Sequence, residues 1–96
     1  MPVPIGHVTK DRLLVLRFDD IAPADSPSGE SETELYTGSP TSAGDYWEIE
    51  PQGKQQVVGP GASLTWTVRF LLRALPAEIT PAVGDANLVS YTATVR

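Results

Sequence analysis

The most regular hydrophobic pattern in the chain runs through ASLTWTVRFLLRAL, residues 62–75. On one side of an extended chain fall the apolar residues Leu64, Trp66, Val68, Phe70 and Leu72. On the other side fall the polar residues Thr65, Thr67, Arg69 and Arg73. A period of two in β-branched and aromatic residues predicts a long, half-buried strand whose apolar side faces the core. The preceding Gly59-Pro60-Gly61 predicts a turn.

Four further segments also have the pattern of strands. RLLVLRF at 12–18 is apolar on both sides, which is typical of a central strand. SETELYT at 31–37 and DYWEIEP at 45–51 alternate, and in the second Trp47 and Ile49 are predicted to face the core. KQQVV at 54–58 predicts a short strand, joined to 45–51 by a tight hairpin at Gln52-Gly53.

The C-terminal segment NLVSYTATVR fits two structures. Val89, Tyr91, Ala93 and Val95 alternate as in a strand, and the β-branched content favours this interpretation slightly. Leu88, Tyr91 and Val95 also form a helical stripe, for which Asp85 is a candidate N-cap.

These elements predict one fold class. We expect a small all-β antiparallel sandwich of about five to seven strands, with a possible C-terminal helix, because period-two segments dominate the chain. The nine prolines argue against an all-helical fold. Residues 1–96 are predicted to form a single domain, with Pro-, Ser- and Gly-rich loops at 21–30 and 37–45.

Composition narrows the classes of function. The 96 residues include no cysteine, which excludes a disulfide framework, thiolate catalysis and a Cys-based zinc site. The net charge is −5 and only two lysines occur, so nucleic acid is not expected as a partner. Neither a signal peptide nor a membrane span is recognisable, and a cytoplasmic location without membrane partners is expected.

The carboxylates are the main candidates for chemistry. If 31–37 and 45–51 pair antiparallel, Glu32, Glu34, Glu48 and Glu50 crowd one side of the pair. Facing like charges destabilise a sheet, so arginines of a neighbouring strand (Arg69 and Arg73), a metal or a polyol ligand should offset them. The alternative is a solvated surface balanced by those arginines, which is the commoner use of such charges. Tyr46 lies on the side of the acids, and its ring suits stacking on a sugar.

The sequence contains no other set of residues that indicates catalysis. His7 is the only histidine, so the usual zinc site cannot form, and no metal or cofactor is expected. No serine lies in a nucleophile motif, and Gly59-Pro60-Gly61 lacks the lysine and helix of a phosphate loop.

Three segments together resemble the C-terminal part of the aldose-epimerase-like (galactose mutarotase-like) superfamily. They are YWEIEPQG, PGASLTWTVRF and LRALPAEITPAVGDANLV, and the resemblance spans roughly residues 5 to 90. It implies part of a large antiparallel β-supersandwich. Ile49-Glu50-Pro51-Gln52 resembles the family strand that carries the general base, which assigns that role to Glu50 and implies aldose 1-epimerase-type isomerisation. The family's catalytic histidines have no counterpart in this chain.

The resemblance and the chain length lead to two hypotheses. The first is a carbohydrate-recognition module, truncated or split and not catalytic alone, with Glu50 as catalytic residue and Tyr46, Glu48, Gln52 and Arg69 as ligand-binding residues. A general base that lacks its acid and most of the cleft supplies little positioning. The second is a structural or assembly protein, such as a coat, decoration or filament subunit. In both cases unpaired sheet edges predict a homo-oligomer or a partner chain that completes the sheet.

Overall fold

A computed structural model describes residues 2–38 and 46–96. These residues form five strands and one α-helix: β1 Pro2–Thr9, β2 Arg12–Asp19, β3 Thr33–Gly38, β4 Tyr46–Pro51, β5 Val68–Ala74 and α1 Ala86–Thr94. The strands lie in two antiparallel sheets. The predicted small all-β antiparallel class with a C-terminal helix is therefore confirmed.

The contacts divide the chain into two units. Met1–Asp19 and Thr67–Arg96 form what we call the helix unit, and Asp20–Trp66 forms the ribbon unit. The helix unit holds the sheet with strand order β1-β2-β5, and the ribbon unit holds β3 and β4. The expectation of a single domain over 1–96 stays a prediction.

Strand β2 is the centre of the three-stranded sheet, as its apolar pattern predicted. Its residues Leu13, Val15, Leu16 and Phe18 are all buried, together with Arg17. Strand β1, which the pattern did not predict, pairs with β2 along its whole length and places His7 opposite Leu14.

The core of the helix unit lies on the side of the sheet that α1 covers. Leu13, Val15 and Val95 form its centre, and Val8, Leu71, Leu75 and Tyr91 pack against them. A Cβ on Gly6 would lie 2.8 Å from Thr92 Cγ2, so glycine at this position lets α1 approach β1 closely.

The prediction of which side of β5 faces the core was wrong. Phe70 and Leu72 are 69% and 64% exposed, whereas Leu71 packs on the core. Alternation separates the two sides of a strand but does not say which side a helix covers. Residues 62–67, predicted as the first half of this strand, are not in a strand, although the Gly59–Gly61 turn is present.

The C-terminal segment is a helix, so the slight preference for a strand was wrong. The Asp85 side chain accepts a hydrogen bond from the Leu88 amide at 3.0 Å, which is the N-cap that the helical alternative required. Leu88 of α1 and Val95, the residue that follows the helix, are both buried. The cap and the tertiary contacts of these residues outweigh the β propensity of the valines and threonines.

The ribbon unit contains the two predicted strands 31–37 and 45–51, now β3 and β4. The loop predicted at 37–45 begins inside β3, and its residues 39–45 lie outside the described part of the chain. The loop predicted at 21–30 holds only a 3-10 helix at Pro23–Asp25.

The predicted strand 54–58 and its hairpin with 45–51 were wrong. Residues 52–67 are irregular, and the amides of Gln52 and Gln55 donate to the carbonyls of Glu32 and Asp25 at 2.8 and 2.9 Å. The Lys54 ammonium also lies 3.6 Å from the Asp25 carboxylate. The hydrogen bonds to segment 20–32 satisfy these two backbone amides, so residues 52–55 do not need to pair in a sheet.

Candidate functional site

The register of β3 and β4 brings the acidic residues of the ribbon unit together. Glu34 lies opposite Glu50, Tyr36 opposite Glu48, and Gly38 opposite Tyr46. Residues directly opposite each other in an antiparallel pair point to the same side. We call Glu34, Tyr36, Tyr46, Glu48 and Glu50 the acidic face. The expected crowding of Glu34, Glu48 and Glu50 is therefore present.

Glu32 does not join the acidic face. It precedes β3, and its Oε1 accepts a hydrogen bond from the Ile21 amide at 3.1 Å. Burial raises the pKa of Glu32, a hydrogen bond with Asp20 and the Asp20 charge raise it further, and the Ile21 amide opposes these effects. Its carboxylate thus belongs to the 20–32 segment.

Two tyrosines border the acidic face. The ring centroids of Tyr36 and Tyr46 are 6.2 Å apart at an interplanar angle of 43°. The Tyr46 ring lies directly over Gly38, where it fills the space that a Cβ would occupy. Because Gly38 has no side chain, the Tyr46 ring can lie against the backbone of β3, beside the carboxylates.

Gln52 links the end of β4 to this face. Its side-chain Nε2 donates to Glu34 Oε1 at 3.1 Å, and its backbone N–H donates to the Glu32 carbonyl. The side-chain amide of Gln52 thus orients one carboxylate oxygen of Glu34. The same amide can still donate and accept further hydrogen bonds.

The electrostatics of the acidic face separate Glu50 from its neighbours. A hydrogen bond with Glu48 raises the pKa of Glu50, and partial desolvation and the charges of Glu48 and Glu30 raise it further. Beside Glu48, Glu50 therefore holds a proton more readily than an isolated glutamate would. The effect follows from their spacing, because alternate residues of a strand point to the same side.

The raised pKa values predict how stability depends on pH. The folded chain binds protons at Glu50 and Glu32 more tightly than the unfolded chain does. In the unfolded chain the pKa of a glutamate has its ordinary value of 4.5. Stability is then lost as pH rises through the window between that value and the raised folded values. We expect acidification from about pH 7 to about pH 5 to raise the urea midpoint, and Glu50→Gln to reduce this gain.

Urea titrations at several pH values, followed by circular dichroism, measure this effect. Glu78→Gln, a neutralised carboxyl of the helix unit, is the control and should retain the wild-type pH dependence. Identical pH profiles for wild type and Glu50→Gln would contradict the coupling of Glu48 and Glu50.

The opposite side of the ribbon does not match the prediction. Trp47, expected to face the core, is 67% exposed, and its neighbour Leu35 is also exposed. Ile49 is half-buried. The alternation correctly separated these residues from the acids, but β3 and β4 pair only with each other among the described strands. A two-stranded ribbon buries little on either side.

The arginines expected to offset the acids lie elsewhere. Arg69 and Arg73 are on β5, which pairs with β2 and not with β4, so the predicted neighbouring strand was wrong. Arg69 lies opposite Arg17. It is therefore in the helix unit, whereas Tyr46, Glu48, Glu50 and Gln52 are together in the ribbon unit.

No group of three or more His, Cys, Asp and Glu side chains in residues 2–38 and 46–96 has the arrangement of a metal site. His7 lies on β1 as an exposed residue.

Sequence reasoning placed Glu34 among the crowded carboxylates but selected neither Glu34 nor Tyr36 as a ligand-binding residue. The alternation of Glu32, Glu34 and Tyr36 shows that these residues share one side of the strand. The local sequence does not show the register that sets Glu34 opposite Glu50 and Tyr36 opposite Glu48. Gly38 falls in the predicted loop 37–45, whereas the structure places it at the end of β3, where it makes room for the Tyr46 ring.

Comparison with models of protein families, with curated proteins and with solved structures gave no match. The helix within the described ranges is too short and too polar to cross a membrane. A proposal for the function therefore rests on the acidic face itself.

Proposed function

We propose that this chain is a carbohydrate-recognition β-module that binds a sugar or related polyol at the acidic face and is not catalytic alone. The observation that carries the proposal is the register that sets Glu34 opposite Glu50 and Tyr36 opposite Glu48. Three carboxylates and two aromatic rings thereby share one side of a two-stranded ribbon, on which Glu34 is half-buried and the other four residues are exposed.

The chemistry of these groups suits a polyol. An ionised carboxylate only accepts hydrogen bonds, and a sugar presents several hydroxyl donors at spacings of a few ångströms. Hydroxyls placed between Glu34, Glu48 and Glu50 would replace repulsion between carboxylates with charge-assisted hydrogen bonds. The Tyr36 and Tyr46 rings offer apolar surface for the C–H side of a sugar ring.

Glu50 is the residue to which we assign a proton-transfer role. A carboxyl with a raised pKa is better suited to exchange protons near neutral pH than an ordinary one, and Glu50 is in this class. The resemblance to the aldose-epimerase-like superfamily assigns the same residue. An open ribbon positions a sugar poorly, so we expect binding without turnover unless a partner chain completes the site.

Ligand-observed NMR against a panel of aldoses and polyols tests the proposal. We expect weak, saturable binding, and we expect Glu50→Gln to weaken it about tenfold because a hydrogen bond to a charged group is lost. Glu78→Gln, a carboxyl of the helix unit, should bind as wild type does. If no sugar binds, or if the two variants bind equally, the proposal is wrong.

One observation favours the alternative, a structural protein that self-associates through sheet edges. In the described sheet β5 pairs only with β2, and it exposes Phe70 and Leu72 next to its unpaired edge. The other edge strand, β1, contains Pro2 and Pro4, which lack a donor for a further strand. Light scattering on the NMR samples separates the two functions, since a mass that rises with concentration favours assembly and a constant monomer mass opposes it.

A further inference from the structure

The C-terminal turn of α1 gathers positive charge. The Arg17 Nε donates to the Val95 carbonyl, and its Nη2 donates to the Ala93 and Thr92 carbonyls at 2.7 and 3.5 Å. The Arg96 Nη1 donates to the same Ala93 carbonyl at 2.8 Å. The guanidinium groups of Arg17 and Arg96 therefore donate to the same carbonyl, that of Ala93.

A third guanidinium lies on the adjacent strand. Arg69 is directly opposite Arg17 in the β2–β5 register, so both project to the side of the sheet that α1 covers. Like charges at opposite positions destabilise a sheet. The pKa of Arg17 is lowered by its burial and then by the charges of Arg96 and Arg69, which is consistent with their proximity. We call Arg17, Arg69 and Arg96 the arginine cluster.

Acidic residues do not balance this cluster. The ion pairs within residues 2–38 and 46–96 are Arg12–Asp11 and Lys54–Asp25, and neither includes a member of the cluster. The helix unit carries six basic and four acidic residues, a net charge of +2, in a chain whose total is −5. The helix C-terminus offsets only about half a charge.

The three arginines have different amounts of hydrogen-bonding capacity left. Arg17 is 6% exposed and uses its Nε and Nη2 on the helix carbonyls. Arg96 uses one Nη1, and Arg69 is exposed and donates none of the hydrogen bonds described in this unit. Arg69 and Arg96 are thus available to an outside ligand, while Arg17 is held in place as a fixed charge beside them.

We propose that Arg69 and Arg96, beside the buried charge of Arg17, bind a phosphate group, either free or as a small monoester. The planar guanidinium presents parallel N–H donors that match phosphate oxygens, and it stays charged at any physiological pH. A dianion compensates three neighbouring cations better than a monovalent carboxylate does. The site lies in the helix unit and is independent of the carbohydrate proposal.

Amide NMR of the labelled whole chain tests this site. Inorganic phosphate and methyl phosphate are titrated separately, with sodium chloride holding the ionic strength constant because simple screening also shifts signals. We expect saturable shifts at the amides of residues 93–96 and at the Arg69 Nε–H. Saturation by either compound supports the site and identifies the form it accepts, whereas saturation by neither overturns it.

Variants locate the binding. We expect Arg69→Gln to weaken phosphate binding about tenfold, since a charge-assisted hydrogen bond is lost from an exposed residue. Arg69→Lys keeps the positive charge but loses the parallel N–H donors of the guanidinium. Its phosphate affinity should lie between those of wild type and Arg69→Gln. Arg12→Gln is the matched control, because Arg12 is an exposed arginine of the same sheet that pairs with Asp11. If Arg12→Gln weakens binding as much as Arg69→Gln, the attraction is nonspecific and the site is wrong.

Discussion

Leu13→Ala is expected to lower the free energy of unfolding by about 3 kcal/mol, within the range for buried leucines replaced by alanine. Leu13 is 1% exposed at the centre of the helix unit, and it belongs to one core cluster with Val15 and Val95. The neighbours that would have to fill the vacated space are held on two sides. Val15 is fixed in the central strand, and Val95 is fixed by its position at the end of α1.

The size of the chain makes this loss large in relative terms. Small domains are stable by only about 5–15 kcal/mol, so one core residue accounts for a substantial part of the total. The thermal midpoint should fall by on the order of 10–20 °C. Urea unfolding followed by circular dichroism at 25 °C gives the free energy directly.

Leu72→Ala provides the control for this measurement. It removes the same atoms from the same sheet, but Leu72 is exposed on β5. We expect a change of less than about 0.5 kcal/mol at such a position. Equal effects of the two substitutions would mean that the core does not lie between β2 and α1.

Arg17→Ala is expected to destabilise the helix unit about as strongly as Leu13→Ala. The last carbonyls of a helix have no partners within the helix, and the Arg17 side chain supplies partners to those of Ala93 and Val95. Its charge also opposes the negative end of the helix dipole. Truncation removes the Arg17 donor from the Val95 carbonyl and leaves the Ala93 carbonyl with the Arg96 donor alone. Losing these hydrogen bonds in a part-buried place costs more than the loss of an exposed ion pair.

Hydrogen exchange locates this effect. Protection should fall first at the amides of α1, because the helix loses its C-terminal anchor while the three-stranded sheet keeps its ladder. Arg17→Lys should be intermediate, since a single ammonium cannot reproduce the guanidinium donors that reach the carbonyls of Thr92, Ala93 and Val95. Arg12→Ala is the control, because Arg12 is exposed and, among residues 2–38 and 46–96, pairs only with the carboxylate and the carbonyl of Asp11. If Arg17→Ala and Arg12→Ala lose equal stability, Arg17 does not anchor α1.

Strands β2, β3 and β4 were predictable to within two residues at each end. Their signal is local, because side chains of a strand alternate whatever the strand pairs with. Strand β1 was missed for an equally local reason. It contains two prolines and a glycine, and the turn at Lys10-Asp11 has neither glycine nor a positive φ, so the usual hairpin signals are absent.

The acidic face was half predictable. The alternation of Glu48 and Glu50 set both on one side of β4, and the same reasoning applied to Glu34 and Tyr36 on β3. Which residues lie opposite one another depends on register, and a shift of one residue would have set Glu50 opposite Leu35 or Thr33 instead of Glu34. The position of Arg69 required the strand order, since nothing in its local sequence distinguishes pairing with β2 from pairing with β4.

The order of residues was therefore sufficient for the antiparallel β class, for three strands and for the side of β4 that carries acids, because each follows from a period of two within a single segment. The covered side of β5, the helix at 86–94, the meeting of Glu34 with Glu50 and the gathering of Arg17, Arg69 and Arg96 were decided by packing. In each of these the local pattern allowed two arrangements of similar propensity. The contact of α1 with Leu13 and the pairing of distant strands selected one of them, since burial and ladder hydrogen bonds outweigh the small differences in propensity.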